Sequence, residues 1–341
     1  MTRICIYGAG SVGCYIGGRL LAAGADIRFV GRAAVGAALR EHGLALSHYN
    51  GHRWSIPPAA IAFATDPAAA ADADLLLLTV KSGGTAAAAA ELAPLLRTDA
   101  TVLSFQNGVG NGHVLRAGLT QTVLDGMVPF NIISPAPGHF HQASEGTLAL
   151  QASPPGEPDL SAFQQAALPL ERHADMAPVQ WAKLLLNLNN AINALADKPL
   201  REELSERSYR RCLALAQREA LRVMRRAGIA PARLTPLPAG WIPALLALPD
   251  AAFSPLAGRM LAIDPAARSS MSDDLAAGRP TEIDWINGEI VRLANRLGGE
   301  APVNAKLCAL VHMAEKTTPR RRWAANALLA ELHAVTGAAA F

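Results

Sequence analysis

The chain has 341 residues, 51% hydrophobic and 17% charged, with a formal net charge of +3. That length exceeds what one core usually fills, so two domains are expected. The charge is too slight to argue for a nucleic-acid partner, and apolar runs such as "LLLLTV" at 75–80 and "WIPALLALP" at 241–249 are too short to span a bilayer.

The N-terminus enters "ICIYGAG" directly, so no secretory leader is expected. Residues 3–7 read as a buried strand, followed by "GAGSVG" and a helix from about Val12 to Ala23 that stops at Gly24. "DIRFV" at 26–30 is a second strand, and "AAVGAALREHG" a helix closed by Gly43. "LALSHYNGHRWSI" at 44–56 reads as a hairpin, with Asn50-Gly51 suited to a type I′ turn. A strand at 60–64 and a short helix at 66–73 follow. "DLLLLTV" at 74–80 is a continuous apolar run, as expected of a strand covered on both faces. "TAAAAAELAPLL" is a helix, "TVLSFQNG" a strand ending at Asn107, and further strands are expected around 122–127 and 146–151. Alternating strands and helices predict a mostly parallel sheet wrapped by helices.

"ASPPGEPDLS" at 152–161 reads as an exposed connection, and the pattern changes near residue 175. Helical periodicity then dominates at 179–196, 200–227, 266–277, 281–297 and 302–315. Ile283, Ile286, Ile290, Leu293 and Leu297 form one stripe that ends at Gly298-Gly299, and Thr281 with Asp284 resembles a capping box. The expected division is an α/β domain over 1–174 and an all-helical domain over 175–341.

Cysteines 5, 14, 212 and 308 show no CxxC spacing, which suits a reducing cytoplasm and argues against a metal framework. His139 and His141 in "HFH" share one side of a strand without a third ligand nearby. The basic run "PRRRW" at 319–323 reads as solvated surface, with an anion site as the alternative.

"GAGSVG" sets Gly8, Gly10 and Gly13 in G-x-G-x-x-G spacing between a strand and a helix, the context of a dinucleotide turn spanning Gly8, Ala9, Gly10, Ser11, Val12 and Gly13. A glycine-rich turn without a ligand is the plainer account. The second strand ends in "FVGR", where an NAD site usually carries an acid; Arg32 instead suits the 2′-phosphate of NADP, or is a surface arginine. Lys81 in "TVKS" and Asn107 in "SFQNGVG" follow two further strands, where ligands sit in open α/β sheets; both are also ordinary loop residues.

"KLLLNLNNAINAL" at 183–195 puts a lysine and four asparagines on an apolar helix. Lys183, Asn187 and Asn190 fall at i, i+4 and i+7 on one face, with Asn193 three further. A face bordering a polar cleft would lower the lysine pKa and ease proton donation; hydrogen bonds within the helical core are the alternative. Ser269 and Ser270 precede a helix. Glu282 opens the next one, either as a cap at its dipole or as a carboxylate reaching Lys183 or a ribose hydroxyl.

Through "GAGSVGCYIGGRL", "VKS", "QNGVGN", "WAKLLLNLNNAINAL" and above all "SSMSDDLAAGRPTEIDWINGE", nearly the whole chain resembles the ketopantoate reductase (2-dehydropantoate 2-reductase) family. The resemblance implies a Rossmann-like domain followed by a helical domain like that of 6-phosphogluconate dehydrogenase. It implies NADPH-dependent reduction of 2-dehydropantoate to pantoate, in the route to pantothenate and coenzyme A. By motif, Lys183 matches the proton donor, Asn107 the amide near nicotinamide and substrate, Asn187 and Ser270 substrate contacts, and Lys81 and Glu282 residues that hold the cofactor. The chain departs from the family where a second asparagine is usual, having Ala191 there, so that Asn190 is the nearest substitute. Leu200 replaces a further asparagine, and "VPFNIISPAPGHFHQ" differs from a plainer strand. A reductase of another 2-oxo acid and a non-catalytic NADP-binding regulator are the competing readings. Nucleic acid and membrane partners are not expected, and the choice between monomer and homodimer stays open.

Overall fold

Strands buried on both faces organise the first part of the molecule. The computed structural model describes residues 2–153, 158–256 and 267–336, and the chain divides after Met176 into two units. The strands of the first unit are β1 (Arg3–Tyr7), β2 (Asp26–Val30), β3 (Leu44–His48), β4 (Arg53–Ile56), β5 (Ala62–Ala64), β6 (Leu75–Leu78), β7 (Thr101–Ser104), β8 (Thr122–Met127), β9 (Ile132–Ala136), β10 (His139–Gln142), β11 (Leu148–Gln151) and β12 (Leu170–His173). Its helices are α1 (Ser11–Ala22), α2 (Ala33–His42), α3 (Thr85–Leu92), α4 (Asn111–Gly118) and α5 (Ser161–Gln165).

Eight strands form one sheet in the order β12-β11-β8-β7-β6-β1-β2-β5. From β8 to β5 every pairing is parallel, while β11 joins β8 antiparallel. Side chains alternate between faces: Ile4, Ile6, Leu75 and Leu77 enter one core, and Cys5, Tyr7, Leu76 and Leu78 the other. Helices cover both, which is why "LLLL" shows no polar alternation.

A second sheet, β4-β3-β10-β9, packs on α1. Side-chain carbons at Gly17 would strike Ile6 and Phe29, and at Gly18 Leu44 and Leu46, so this glycine pair lets the helix lie close against both sheets. The hairpin expected at 44–56 forms, but its turn is different. Gly51 has positive φ (94°) and Asn50 does not, and Gly51 N–H donates to the His48 carbonyl at 2.8 Å. That is the three-residue loop closed by a glycine bulge rather than a type I′ turn. β9, β12, α4 and α5 were not anticipated. The proline-rich connection partly lies outside the described residues, at 154–157.

The second unit contains, among the described residues, α6 (Ala177–Asn187), α7 (Asn189–Ala196), α8 (Leu200–Ser205), α9 (Arg207–Arg226), α10 (Ile242–Leu246), α11 (Asp250–Leu256), α12 (Ser270–Ala276), α13 (Asn287–Arg296), α14 (Pro302–Lys316) and α15 (Ala325–Val335). α9 is its hub, contacted by α7, α8, α10, α13, α14 and α15. Arg210 on α9 is fully buried and donates to the carbonyls of Leu204, Ser205, Leu246 and Leu248 and to Asp250, tying α9 to its neighbours.

Three expected helices begin or continue differently. The 179–196 segment is interrupted at Leu188, and 200–227 at Glu206, whose ψ of 116° is extended. The helix expected from 281 starts at Asn287, after a 3₁₀ turn at Ile283–Trp285. Asp284 does not close a capping box with Thr281. It pairs with His312 at 3.0 Å, and the Thr281 N–H donates to Glu315 instead. The start of the 266–277 helix falls at residue 266, outside the described residues, and α12 begins at Ser270.

Candidate active site

The first unit reverses strand order at β1, which has β2 on one side and β6 on the other, and the open crevice of such a sheet lies at the carboxyl ends of these strands. Gly8 follows β1 with φ of 100°, and a side chain there would lie 2.5 Å from the Val80 nitrogen. The N–H groups of Gly8 and Ala9 both donate to the Val30 carbonyl, and Thr79 Oγ1 donates to the Gly8 carbonyl at 2.8 Å. The turn is thus bolted to β2 and to the loop after β6. At Gly13 a Cβ would meet Thr79 Oγ1 at 2.5 Å and Ile6 at 2.9 Å, so this glycine serves packing. At Gly10 it would meet only the Gly8 oxygen, at 3.9 Å, so this one leaves open space. Ser11 and Val12 begin α1, which has no side-chain cap and no acid in its first turn. That positive helix end favours an anion.

At the end of β2, a side chain on Gly31 would come within 2.8 Å of Ala9 Cβ, so a carboxylate has no room there. Arg32, the next residue, is exposed at the start of α2, with no ion-pair partner among the described residues. Lys81 is exposed after β6, and Asn107 is half-buried after β7. A buried polar network that sequence reasoning missed holds these two loops together. Ser82 Oγ and Asn111 Nδ2 donate to the Asn107 carbonyl at 2.6 and 2.8 Å. Thr85 Oγ1 donates to Asn111 Oδ1 at 2.8 Å, and Gln106 Nε2 donates to Thr85 and to the Val80 carbonyl. The legible signal was Asn107 and Asn111 at i, i+4 within "QNGVGN".

In the second unit, Lys183 is half-buried on α6, and burial lowers its ammonium from the ordinary 10.5 to about 8. Asn187 ends α6 and Asn190 lies in the first turn of α7, both half-buried. The other two asparagines turn inward. Asn189 and Asn193 are buried and donate to the carboxyl of Glu203. The polarity of this helix therefore has two sources, and Asn193 belongs to the core.

Ser269, not Ser270, caps α12 by accepting the Ser272 N–H, and Ser269 Oγ also donates to the Asn190 carbonyl at 3.3 Å. Ser270 is exposed at the first helical position. This pairing brings the loop before Ser270 against α7. Glu282 is buried and makes no side-chain capping hydrogen bond to the turn it opens. "PRRRW" is more than solvated surface: Arg320 and Arg322, with Arg268, pair with Asp197 at the end of α7. Among the described residues no His, Cys, Asp and Glu cluster is arranged to hold a metal, and no helix is long and apolar enough to cross a membrane. His139 and His141 instead share the hydroxyl of Ser47, each at 2.8 Å.

A parallel sheet in this order, with a glycine turn feeding an uncapped helix and an all-helical second unit, is the architecture of the dinucleotide-binding class of folds. Comparison with known proteins narrows the class. The family model "Ketopantoate reductase PanE/ApbA" matches residues 4–155, and its C-terminal counterpart matches 175–315. A 2-dehydropantoate 2-reductase of Caulobacter vibrioides is 31% identical over 74% of this chain and 81% of its own length; one of Halobacterium salinarum is 29% identical over 92% and 99%. A crystal structure of a PanE/ApbA family ketopantoate reductase from Ralstonia eutropha superposes with a TM-score of 0.78 at 31% identity, covering 92% of this chain and 99% of that one. D-mandelate dehydrogenase with NADH and anilino(oxo)acetate shares the fold, with a TM-score of 0.75 at 22% identity over 92% and 99%. The chain belongs to the ketopantoate reductase family. It is an oxidoreductase acting on a CH–OH group, with a nicotinamide cofactor and a small keto-acid substrate.

Proposed function

We propose that the protein reduces 2-dehydropantoate to pantoate with NADPH, as a cytoplasmic enzyme in the supply of pantothenate and coenzyme A. The observation that carries the reading is Lys183, an ammonium at about 8 on the helix that also bears Asn187. It is still mostly protonated at neutral pH, yet it releases its proton far more readily than an ordinary lysine.

The phosphate end of the cofactor is assigned to Gly8, Ala9, Gly10, Ser11, Val12 and Gly13. Open space at Gly10 and the uncapped start of α1 support this. Exposed Arg32, beside a position with no room for an acid, favours NADPH over NADH. Lys81, Asn107 and Glu282 complete the proposed cofactor contacts. When bound, NADPH supplies the hydride that adds to C2 of the keto acid. Lys183 gives its proton to the carbonyl oxygen as negative charge develops there. Asn107, Asn187, Asn190 and Ser270 hold the substrate's carboxylate and hydroxyl, so that the carbonyl faces the ammonium. Glu282 is assigned beside the lysine as well as to the cofactor.

A second reading, reduction of a different 2-oxo acid, draws on Ala191 and Leu200, where the family pattern has asparagine. Following NADPH absorbance with a panel of 2-oxo acids separates the two. A kcat/KM highest for 2-dehydropantoate supports the first reading, a higher value for another acid establishes the second, and faster turnover with NADH removes the Arg32 assignment.

A further inference from the structure

Glu203 on α8 is fully buried, and the proposed reaction makes no use of it. Its neighbours Glu202 and Glu206 both pair with Lys198 at 2.7 Å, nearer the surface. Glu203 has no such cation among the described residues. Its Oε2 accepts from Asn193 Nδ2 at 2.9 Å and Asn189 Nδ2 at 3.2 Å. Burial pushes this carboxyl up to about 8, so at neutral pH it is mostly an uncharged acid, which lowers the cost of hiding it, although its Oε1 is buried without a hydrogen-bond partner among the described residues.

Asn193 is used completely. Its second amide hydrogen goes to the Lys198 carbonyl at 3.0 Å, and its Oδ1 accepts the Ser269 N–H at 2.9 Å. Ser269 Oγ then donates to the Asn190 carbonyl and accepts from Ser272 N–H, setting the first turn of α12. An unbroken path runs from Glu203 through Asn193 and Ser269 to the backbone of Asn190 and to the turn that carries Ser270.

We propose that Glu203 is a positioning residue, which locks the Asn193 amide and through it fixes Asn190 and Ser270 for the substrate. The inference rests on the substrate roles given to those two residues above. With Ala191 and Leu200 standing where the family pattern has asparagine, two amide contacts are missing, which makes a fixed Asn190 and Ser270 more important here.

Glu203→Leu is expected to raise KM for the preferred 2-oxo acid about tenfold, an amount set by the loss of one oriented contact, with a smaller change in kcat and unchanged NADPH affinity. Glu203→Gln keeps an oxygen acceptor without charge and is expected to restore KM. Asn193→Ala, which leaves the carboxyl in place, should reproduce the KM rise and carries the test if Glu203→Leu does not fold. Hydrogen exchange at the Ser269 and Ser272 amides reads the same link without turnover and should quicken in both variants. A folded Glu203→Leu or Asn193→Ala protein with wild-type exchange at those amides overturns the positioning role, as does an equal defect in Gln and Leu variants. Faster exchange without any turnover by the wild type would instead sink the substrate assignment and leave the structural link standing.

Discussion

The glycine turn after β1 and the asparagine-rich pair α6–α7 are both short, motif-bearing segments, but they are built on opposite logic. In the turn, each residue acts through backbone geometry: Gly8 by its positive φ, Gly13 by close packing, Gly10 by open space. In the helix pair, chemically identical asparagines divide into two internal and two half-buried ones, and the division comes from Glu203 on another helix. Backbone constraints are local and can be read along the chain. Amide partnerships depend on whichever element packs opposite.

The sharpest way to break this comparison is at Lys183. Replacement by alanine should lower kcat by about 10²–10⁴, the usual contribution of a positioned acid, while NADPH affinity stays nearly unchanged in a fluorescence titration. In the wild type, kcat should fall as pH rises through about 8, because the ammonium form is lost. A flat profile with an active alanine variant would remove Lys183 as the donor.

The glycine turn is tested next by contrasting two alanine variants. Gly13→Ala forces a carbon to 2.5 Å from Thr79 Oγ1 and should cost about 1–3 kcal/mol in denaturant unfolding, as overpacked cores do. Gly10→Ala should unfold like the wild type yet bind NADPH more weakly. Equal stability losses in both would mean that Gly10, too, is a packing residue. A smaller effect is expected at Arg32. Arg32→Ala should weaken NADPH binding about tenfold, the scale of one charge-assisted hydrogen bond, and leave NADH binding alone.

The smallest expected effect concerns the loop that carries Glu282. His312 pairs with Glu315 and Asp284, and Glu315 accepts the Thr281 N–H. The hydrogen bond that the imidazole donates to Glu315, then the one it donates to Asp284, raises the His312 pKa above the ordinary 6.5. Its stabilisation is full below that value and is lost as pH rises through the raised one. Because the ring is partly exposed, the contribution should stay below about 1 kcal/mol. His312→Gln should flatten the melting temperature across that window, and an unchanged pH dependence would show that the cluster does not titrate as a unit.

Much of the first unit was legible because its signals repeat at short range. The run "DLLLLTV" identified a strand covered on both faces, and it lies at the centre of the eight-stranded sheet as β6. The turn at Asn50-Gly51 was misread because Asn-Gly suits two loop types, and strand register beyond the loop selects between them. β9 was hidden by the prolines and glycine of "SPAPG", whose pairing with β10 supplies what local propensity lacks. Glu203 carried no distinguishing mark among the acids of "LREEL", since inward or outward direction depends on how α8 meets α7 and α9.

By itself, the order of residues determined the alternation of strands and helices, the glycine turn after β1 and the helical position of the half-buried lysine, because these follow from periodicity and from backbone conformations that few residues adopt. Which amides face inward, where α6 gives way to α7, and why Ser269 rather than Ser270 caps α12 were decided only by the packed helices, because a buried polar group takes its role from the partner that satisfies it.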